Sequence, residues 1–141
     1  TKILDLGTGA GLPGVLLSII GYKNILMIDS ARKKEEFVSL VIKELSLPAK
    51  IINKRIESVS ITKQDIIISR ALAPLNKLLT YALIHSNKKT TLLFLKGRNV
   101  NKELEIAKKK FFFDYKIHKS ISLGDGCILK IKNIKTKKNN D

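Results

Sequence analysis

Ten consecutive residues near the start of the chain, Asp5-Leu6-Gly7-Thr8-Gly9-Ala10-Gly11-Leu12-Pro13-Gly14, hold the densest set of chemically informative types. Glycines at alternate positions lack a Cβ, so they permit a tight turn and let a ligand lie against the backbone. The apolar run Lys2–Leu6 ahead of them reads as a buried strand. Pro13–Ile20 behind them reads as a helix, with Pro13 in the first turn, where a missing N–H costs little. Ligands of open α/β sheets bind outside the carboxyl ends of the strands, at the point where the strand order reverses. A glycine loop after a first strand lies at such a point.

Two ligand chemistries fit this loop. Gly9, Gly11 and Gly14 satisfy G-x-G-x-x-G, the dinucleotide pattern, which would cradle a pyrophosphate. Asp5, two residues before the Gly7, Gly9, Gly11 triplet, points instead to S-adenosyl-L-methionine. That cofactor carries an amino-acid cation, which a carboxylate can serve directly or through water, whereas a pyrophosphate gains nothing from it. Asp29, at the end of the next apolar run, can accept hydrogen bonds from ribose hydroxyls in either case. Ile56-Glu57 place an apolar side chain beside an acid, suited to an adenine face and its exocyclic amine. Arg70 follows another apolar run, and its planar fork suits a cofactor carboxylate or an RNA phosphate. Lys96-Gly97-Arg98 end the following strand at the same rim, so Lys96 and Arg98 are candidate RNA contacts.

These residues require a frame that brings distant strand ends together. Asn24–Asp29, Lys50–Lys54, Asp65–Ser69 and Thr91–Lys96 read as further buried strands. Ser30 reads as the N-cap of a helix over Ala31–Leu45, whose Phe37, Leu40, Val41 and Leu45 recur at helical spacing and form its expected apolar face. Pro48 prevents its continuation. Ile56–Val59 is a turn or a short helix, and Leu75–Ile84 and Asn101–Lys110 read as helices. Phe111–His118 and Cys127–Lys132, separated by the glycine-containing Leu123–Gly126, are spaced as an antiparallel pair. The alternation predicts an α/β fold: a Rossmann-like, mostly parallel sheet covered on both faces, closed by an antiparallel hairpin. That ending is the methyltransferase variant rather than the dinucleotide-binding one. The expected domain is 1–134, with a basic, disordered tail over 135–141.

The chain has 141 residues, 27 Lys and Arg against 12 Asp and Glu, and a formal net charge of +15. Such a surface favours a polyanion through counterion release. Only Arg32, Arg55, Arg70 and Arg98 are arginines, and the abundance of Lys, Ile and Asn is also what AT-rich codons yield. Lys33, Lys34 and Lys108–Lys110 are further basic candidates. Phe111-Phe112-Phe113 beside the last run reads as a strand entering the core rather than a base-stacking platform. No apolar run approaches the roughly 18 residues needed to span a bilayer, and the single Cys127 cannot form an internal disulfide, which fits a reducing cytoplasm. No Cys/His cluster suggests a metal. His85 and His118 read as structural or surface residues, so no catalytic acid or base is assigned. The start at Thr1, directly into a core strand, leads to the expectation that a segment lies upstream.

The glycine segment Asp5–Gly14, Ile28-Asp29-Ser30 with Arg32-Lys33, Ser69-Arg70-Ala71 and Leu95-Lys96-Gly97 resemble the RsmG (GidB) family, over Thr1 to about Asn133. The Leu-Pro-Gly after the glycine triplet and the Ser-Arg-Ala are the distinctive parts. The resemblance implies a bacterial 16S ribosomal RNA guanine-N(7)-methyltransferase acting on the guanine at position 527, with a helical N-terminal segment that this chain lacks. It implies cofactor contacts from Gly7, Leu12, Ile56, Glu57 and Arg70, with 16S ribosomal RNA or the small ribosomal subunit as partner; a cytoplasmic location and a monomer are further expectations. Other acceptors, RNA or small molecule, remain open, as do a nicotinamide-dependent oxidoreductase and a non-catalytic RNA-binding domain.

Overall fold

The computed structural model describes residues 1–9, 11–70, 73–119 and 124–137. Parts of the sequence reading that fall on Ala10, Ala71, Leu123 and residues 138–141 lie outside them. Seven strands form one sheet in the order β3-β2-β1-β4-β5-β7-β6. They are β1 Lys2–Leu6, β2 Asn24–Ile28, β3 Lys50–Ile52, β4 Gln64–Arg70, β5 Ser86–Lys96, β6 Phe111–Lys119 and β7 Cys127–Thr136. The first five are parallel, and β7 inserts antiparallel between β5 and β6. The chain moves from β1 outward through β2 and β3 and then crosses to β4 on the other side of β1, which makes β1/β4 the reversal point.

Helices α1 (Gly14–Ile19), α2 (Arg32–Glu44), α3 (Leu75–Ile84) and α4 (Val100–Lys108) connect the strands. Two apolar layers sandwich the sheet. The larger joins Leu4, Leu6, Ile67, Leu92 and Phe94 to α3 and α4, and the smaller joins Ile3, Ile25 and Met27 to Val15 of α1 and Val38 of α2. β1 is short and buried at every residue after Lys2, because it is covered on both faces, as central parallel strands are.

Several expectations change. In α2 it is Val38, with Val41 and Ile42, that faces the sheet, while Phe37, Leu40 and Leu45 are exposed. Both sets recur at helical spacing, and only the position of the sheet selects between them. The N-cap of α2 is Ala31 rather than Ser30. The Asp29 carboxylate supplies the acceptor, Oδ1 taking the Ala31 N–H at 2.8 Å. β5 begins at Ser86, where it pairs with Gln64 before a register shift. β7 runs to Thr136, so Lys135 and Thr136 of the expected tail are strand residues. The Phe triplet is split by strand alternation, Phe111 buried and Phe112 60% exposed. Among the described residues no helix is long and apolar enough to cross a membrane.

Candidate functional site at the strand ends

The carboxyl ends of β1, β2, β3 and β4 align in one rim, through the pairs Leu6↔Ile28, Ile28↔Ile52 and Leu6↔Ser69. The glycine loop sits on the end of β1. Its first two amides, Gly7 N–H and Thr8 N–H, both donate to the Ile28 carbonyl, at 2.8 and 3.3 Å. The Gly9 N–H donates to Asp29 Oδ2 at 2.7 Å. Gly7, Gly9 and Gly11 all have positive φ, 66°, 59° and 95°, which L-residues rarely adopt. At Gly9 the space above is open. An added Cβ would find its nearest neighbour, Arg70 Nη2, only at 4.0 Å. At Gly11 it would strike Val15 Cγ2 at 2.5 Å. Gly9 therefore presents backbone to the crevice, and Gly11 lets the loop close onto α1.

Asp5 is fully buried beneath the loop. Its Oδ2 accepts the Thr8 hydroxyl at 2.6 Å and the Gly14 N–H at 3.0 Å, and Oδ1 has no partner among the described residues. Burial pushes this carboxyl up to about 6, against the hydrogen bonds from Thr8 and Gly14 and the charge of Arg70, which pull it down; Asp29 adds to the rise. Asp5 thus shapes the loop from below, and a ligand in the crevice does not reach its carboxylate directly in this conformation. Thr8 carried no sequence signal, because a buried Thr is recognised only by the acceptor it meets.

Asp29 holds the Gly9 N–H with one oxygen and the Ala31 N–H with the other, at the edge of the crevice. Each carboxylate oxygen keeps a second lone pair for a further donor. Ile56 and Glu57 lie in a short 3-10 turn after β3, and both line a cleft of about 320 Å³ with Ser30, Ala73 and Tyr81. Glu57 is exposed, whereas Ile56 is largely committed to the core. Leu12 is exposed beside the loop. Ser69 is buried and donates to the Leu6 carbonyl at 3.0 Å, fixing the end of β4 against β1 and so placing Arg70 beside Gly9. Asp29 and Arg70 thereby both stand beside Gly9 at the end of β1, while Ile56 and Glu57 line the separate cleft beyond β3.

Lys96 is not a free RNA contact. Its side chain is only 5% exposed, and Nζ donates to Glu103 Oε1 at 2.9 Å and to the Ala73 carbonyl at 2.8 Å. The same Glu103 oxygen accepts the Leu75 N–H at 2.9 Å, so one carboxylate ties β5, α3 and α4 together. A lysine at a strand end reads as a surface cation until the acid that buries it is known, and Glu103 comes from the next helix. Arg98 is exposed, with Asp125 4.0 Å away. His85 is buried, and among the described residues neither ring nitrogen has a partner in full hydrogen-bond geometry; burial lowers its pKa, against the nearby Ile56 backbone, which raises it, with Lys63 adding to the fall.

The family model described as rRNA small subunit methyltransferase G (GidB) matches residues 1–131. The chain belongs to this family. Ribosomal RNA small subunit methyltransferase G of Caulobacter vibrioides is 39% identical over 139 residues, covering 95% of this chain and 63% of that protein. That of Paramagnetospirillum magneticum is 34% identical over 133 residues, covering 94% and 65%. That of Rickettsia prowazekii is 38% identical over 132 residues, covering 94% and 68%. The chain spans just under two thirds of the length of the first two. Among solved structures, the ribosomal protein L11 methylase of Lactobacillus delbrueckii superposes with a TM-score of 0.76 at 19% identity, covering 94% of this chain and 69% of that one. The magnesium protoporphyrin IX methyltransferase of Synechocystis gives 0.68 at 12% identity, covering 94% and 69%. The chain thus has the methyltransferase sheet, including the antiparallel β7 that the sequence spacing predicts.

Proposed function

We propose that this chain carries the catalytic domain of an S-adenosyl-L-methionine-dependent methyltransferase that modifies ring nitrogen 7 of a guanine in 16S ribosomal RNA. The observation that carries the proposal is the family match over residues 1–131. The residues fit the cofactor. Gly9 leaves its backbone approachable from the crevice, and Asp29 retains lone pairs for ribose hydroxyls. Gly7, Gly11 and Leu12 would line the cofactor's path along the loop, and Glu57 would accept the adenine amine with Ile56 backing it. Arg70 would meet the cofactor carboxylate, while Asp5 holds the loop from beneath.

The cofactor supplies an electrophilic methyl group on a sulfonium. Guanine N7 carries a free lone pair at neutral pH, so no residue must remove a proton before attack. The protein's task is orientation: to bind the acceptor base in line with the methyl and hold it there. Arg98, exposed at the rim beyond β5, would bind phosphate near the acceptor. The two histidines are not needed in this scheme.

The test is transfer of radiolabelled methyl to small ribosomal subunits or to 16S RNA, with the position mapped by chemical cleavage at 7-methylguanine. Label at one guanine, abolished by Gly9→Asp and strongly reduced by Arg70→Ala, is the expected outcome. Binding of NADH that S-adenosylhomocysteine does not displace would replace this reading with an oxidoreductase. RNA binding without affinity for S-adenosylhomocysteine would replace it with a binding domain.

A further inference from the structure

The face of the β6–β7 hairpin that points away from the larger core is covered by no helix among the described residues. Strand alternation sends Phe111, Phe113, Cys127, Leu129 and Ile131 to the core side, where α4 packs. The opposite side therefore carries Phe112, Asp114, Lys116 and His118 of β6, and Ile128, Lys130 and Lys132 of β7. Asn133, with a φ of 58°, accompanies a register shift in which two residues of β7, Asn133 and Ile134, oppose one of β6, Phe113. Beyond the shift Lys135 pairs with Phe112, and Lys137 sits over the Phe112 ring at 4.9 Å from its centroid, so both join the same side.

This face holds five lysines and one acid. Lys116 and Lys130 are directly opposed across the strands, a like-charge pairing that weakens a sheet by itself. Among the described residues none of the five lysines is in an ion pair, and the one acid, Asp114, accepts from Asn133 at 2.7 Å. A basic row with a single acid, Asp114 opposite Lys132, and an exposed aromatic beside it has the composition of a surface that tracks a nucleic-acid backbone and stacks a base. Its position suits that use. β7 starts opposite Lys96, at the rim where the crevice opens, through the pair Lys96↔Cys127. The nine-residue β6 carries the face about 26 Å away from that rim at about 3.3 Å per residue.

We propose that the open face of the β6–β7 hairpin, centred on Lys116 and Lys130 with Phe112 at its far end, is a docking surface for the ribosomal RNA that flanks the methylated guanine. The proposal rests on the reading of the chain as an RNA methyltransferase. Lysines 116, 130, 132 and 135 bind phosphates along the strands, and Phe112 stacks an unpaired base.

The test compares the Lys116→Gln/Lys130→Gln double variant with a Lys23→Gln/Lys43→Gln control that makes the same charge change on exposed lysines elsewhere. 16S RNA and small subunits are the probes. Removing two phosphate contacts should lower the salt dependence of RNA binding by about two counterions. It should raise the KM for RNA roughly tenfold, with kcat and S-adenosylhomocysteine affinity unchanged. Phe112→Leu should weaken RNA binding at high salt as well, because stacking is not screened. The double variant removes a like-charge clash, so it should fold at least as well as the parent. Lysine acetylation footprinting of the parent gives an independent readout, with RNA protecting Lys116, Lys130 and Lys132. Equal losses in the double variant and the control, or unchanged KM and salt slope, would overturn the proposal. So would protection of these lysines before RNA is added, which would mean that protein covers the face. If the parent methylates RNA and the double variant does so with unchanged KM and salt slope, the docking surface fails and the proposed activity stands; if the parent neither binds nor methylates RNA, both fail.

Discussion

Asp29 Oδ2 accepts the Gly9 N–H at 2.7 Å, across 20 residues of chain, so the end of β2 dictates where the glycine loop of β1 stands. The same carboxylate starts α2 through Ala31. One side chain thereby sets the loop, the helix entry and a polar edge of the crevice.

Asp29→Asn places an amide where a charged acceptor now faces two N–H donors. One of them loses its partner, a loss of about 1–3 kcal/mol. S-adenosylhomocysteine affinity should fall at least tenfold in a calorimetric titration, with a lower melting temperature in the absence of ligand. Unchanged affinity would remove Asp29 from the site.

Two of the loop glycines should separate by consequence. Gly11→Ala drives a Cβ to 2.5 Å from Val15 Cγ2 at a φ of 95°, and should destabilise the fold by several kcal/mol, read as a large drop in urea midpoint. Gly9→Ala meets nothing nearer than 4.0 Å and costs only the left-handed backbone, about 1–2 kcal/mol. Its main effect should be on ligand affinity, because the methyl group enters the crevice. Equal effects on stability would contradict the assigned roles.

Asp5 makes stability depend on pH. Its folded-state carboxyl titrates near 6 rather than 3.8, so the folded protein holds a proton that the unfolded chain has released between those values. Stability from this group is full below about pH 4 and is lost as pH rises to 6, by roughly 3 kcal/mol at most. Asp5→Asn keeps an oxygen for Thr8 and Gly14 but does not titrate. Urea midpoints from pH 4 to 7 should show the parent losing stability relative to the variant across that window; parallel curves would refute it.

Lys96→Met should cost about 3 kcal/mol, because it strands the Glu103 carboxylate that Leu75 also uses. Arg98→Ala, at an exposed side chain with a partner 4.0 Å away, should leave the melting temperature unchanged and raise the KM for RNA. A stable Lys96→Met with impaired RNA binding would restore Lys96 as a surface contact.

The sequence by itself determined the order of strands and helices, the glycine loop and the rim of the sheet on which it sits. Apolar runs of strand length, interrupted by glycine and proline, admit few alternatives, and parallel strands bring their carboxyl ends to one side. Those signals are local in the chain. Tertiary structure alone decided which apolar stripe of α2 faces inward, that Asp5 lies under the loop, and that Lys96 is buried while Lys116 and Lys130 stand opposite one another across the hairpin. In each case the deciding neighbour is remote: the sheet beneath Val38, Gly14 above Asp5, Glu103 beside Lys96. Charge and polarity are written in the residue, but burial is a property of what packs against it.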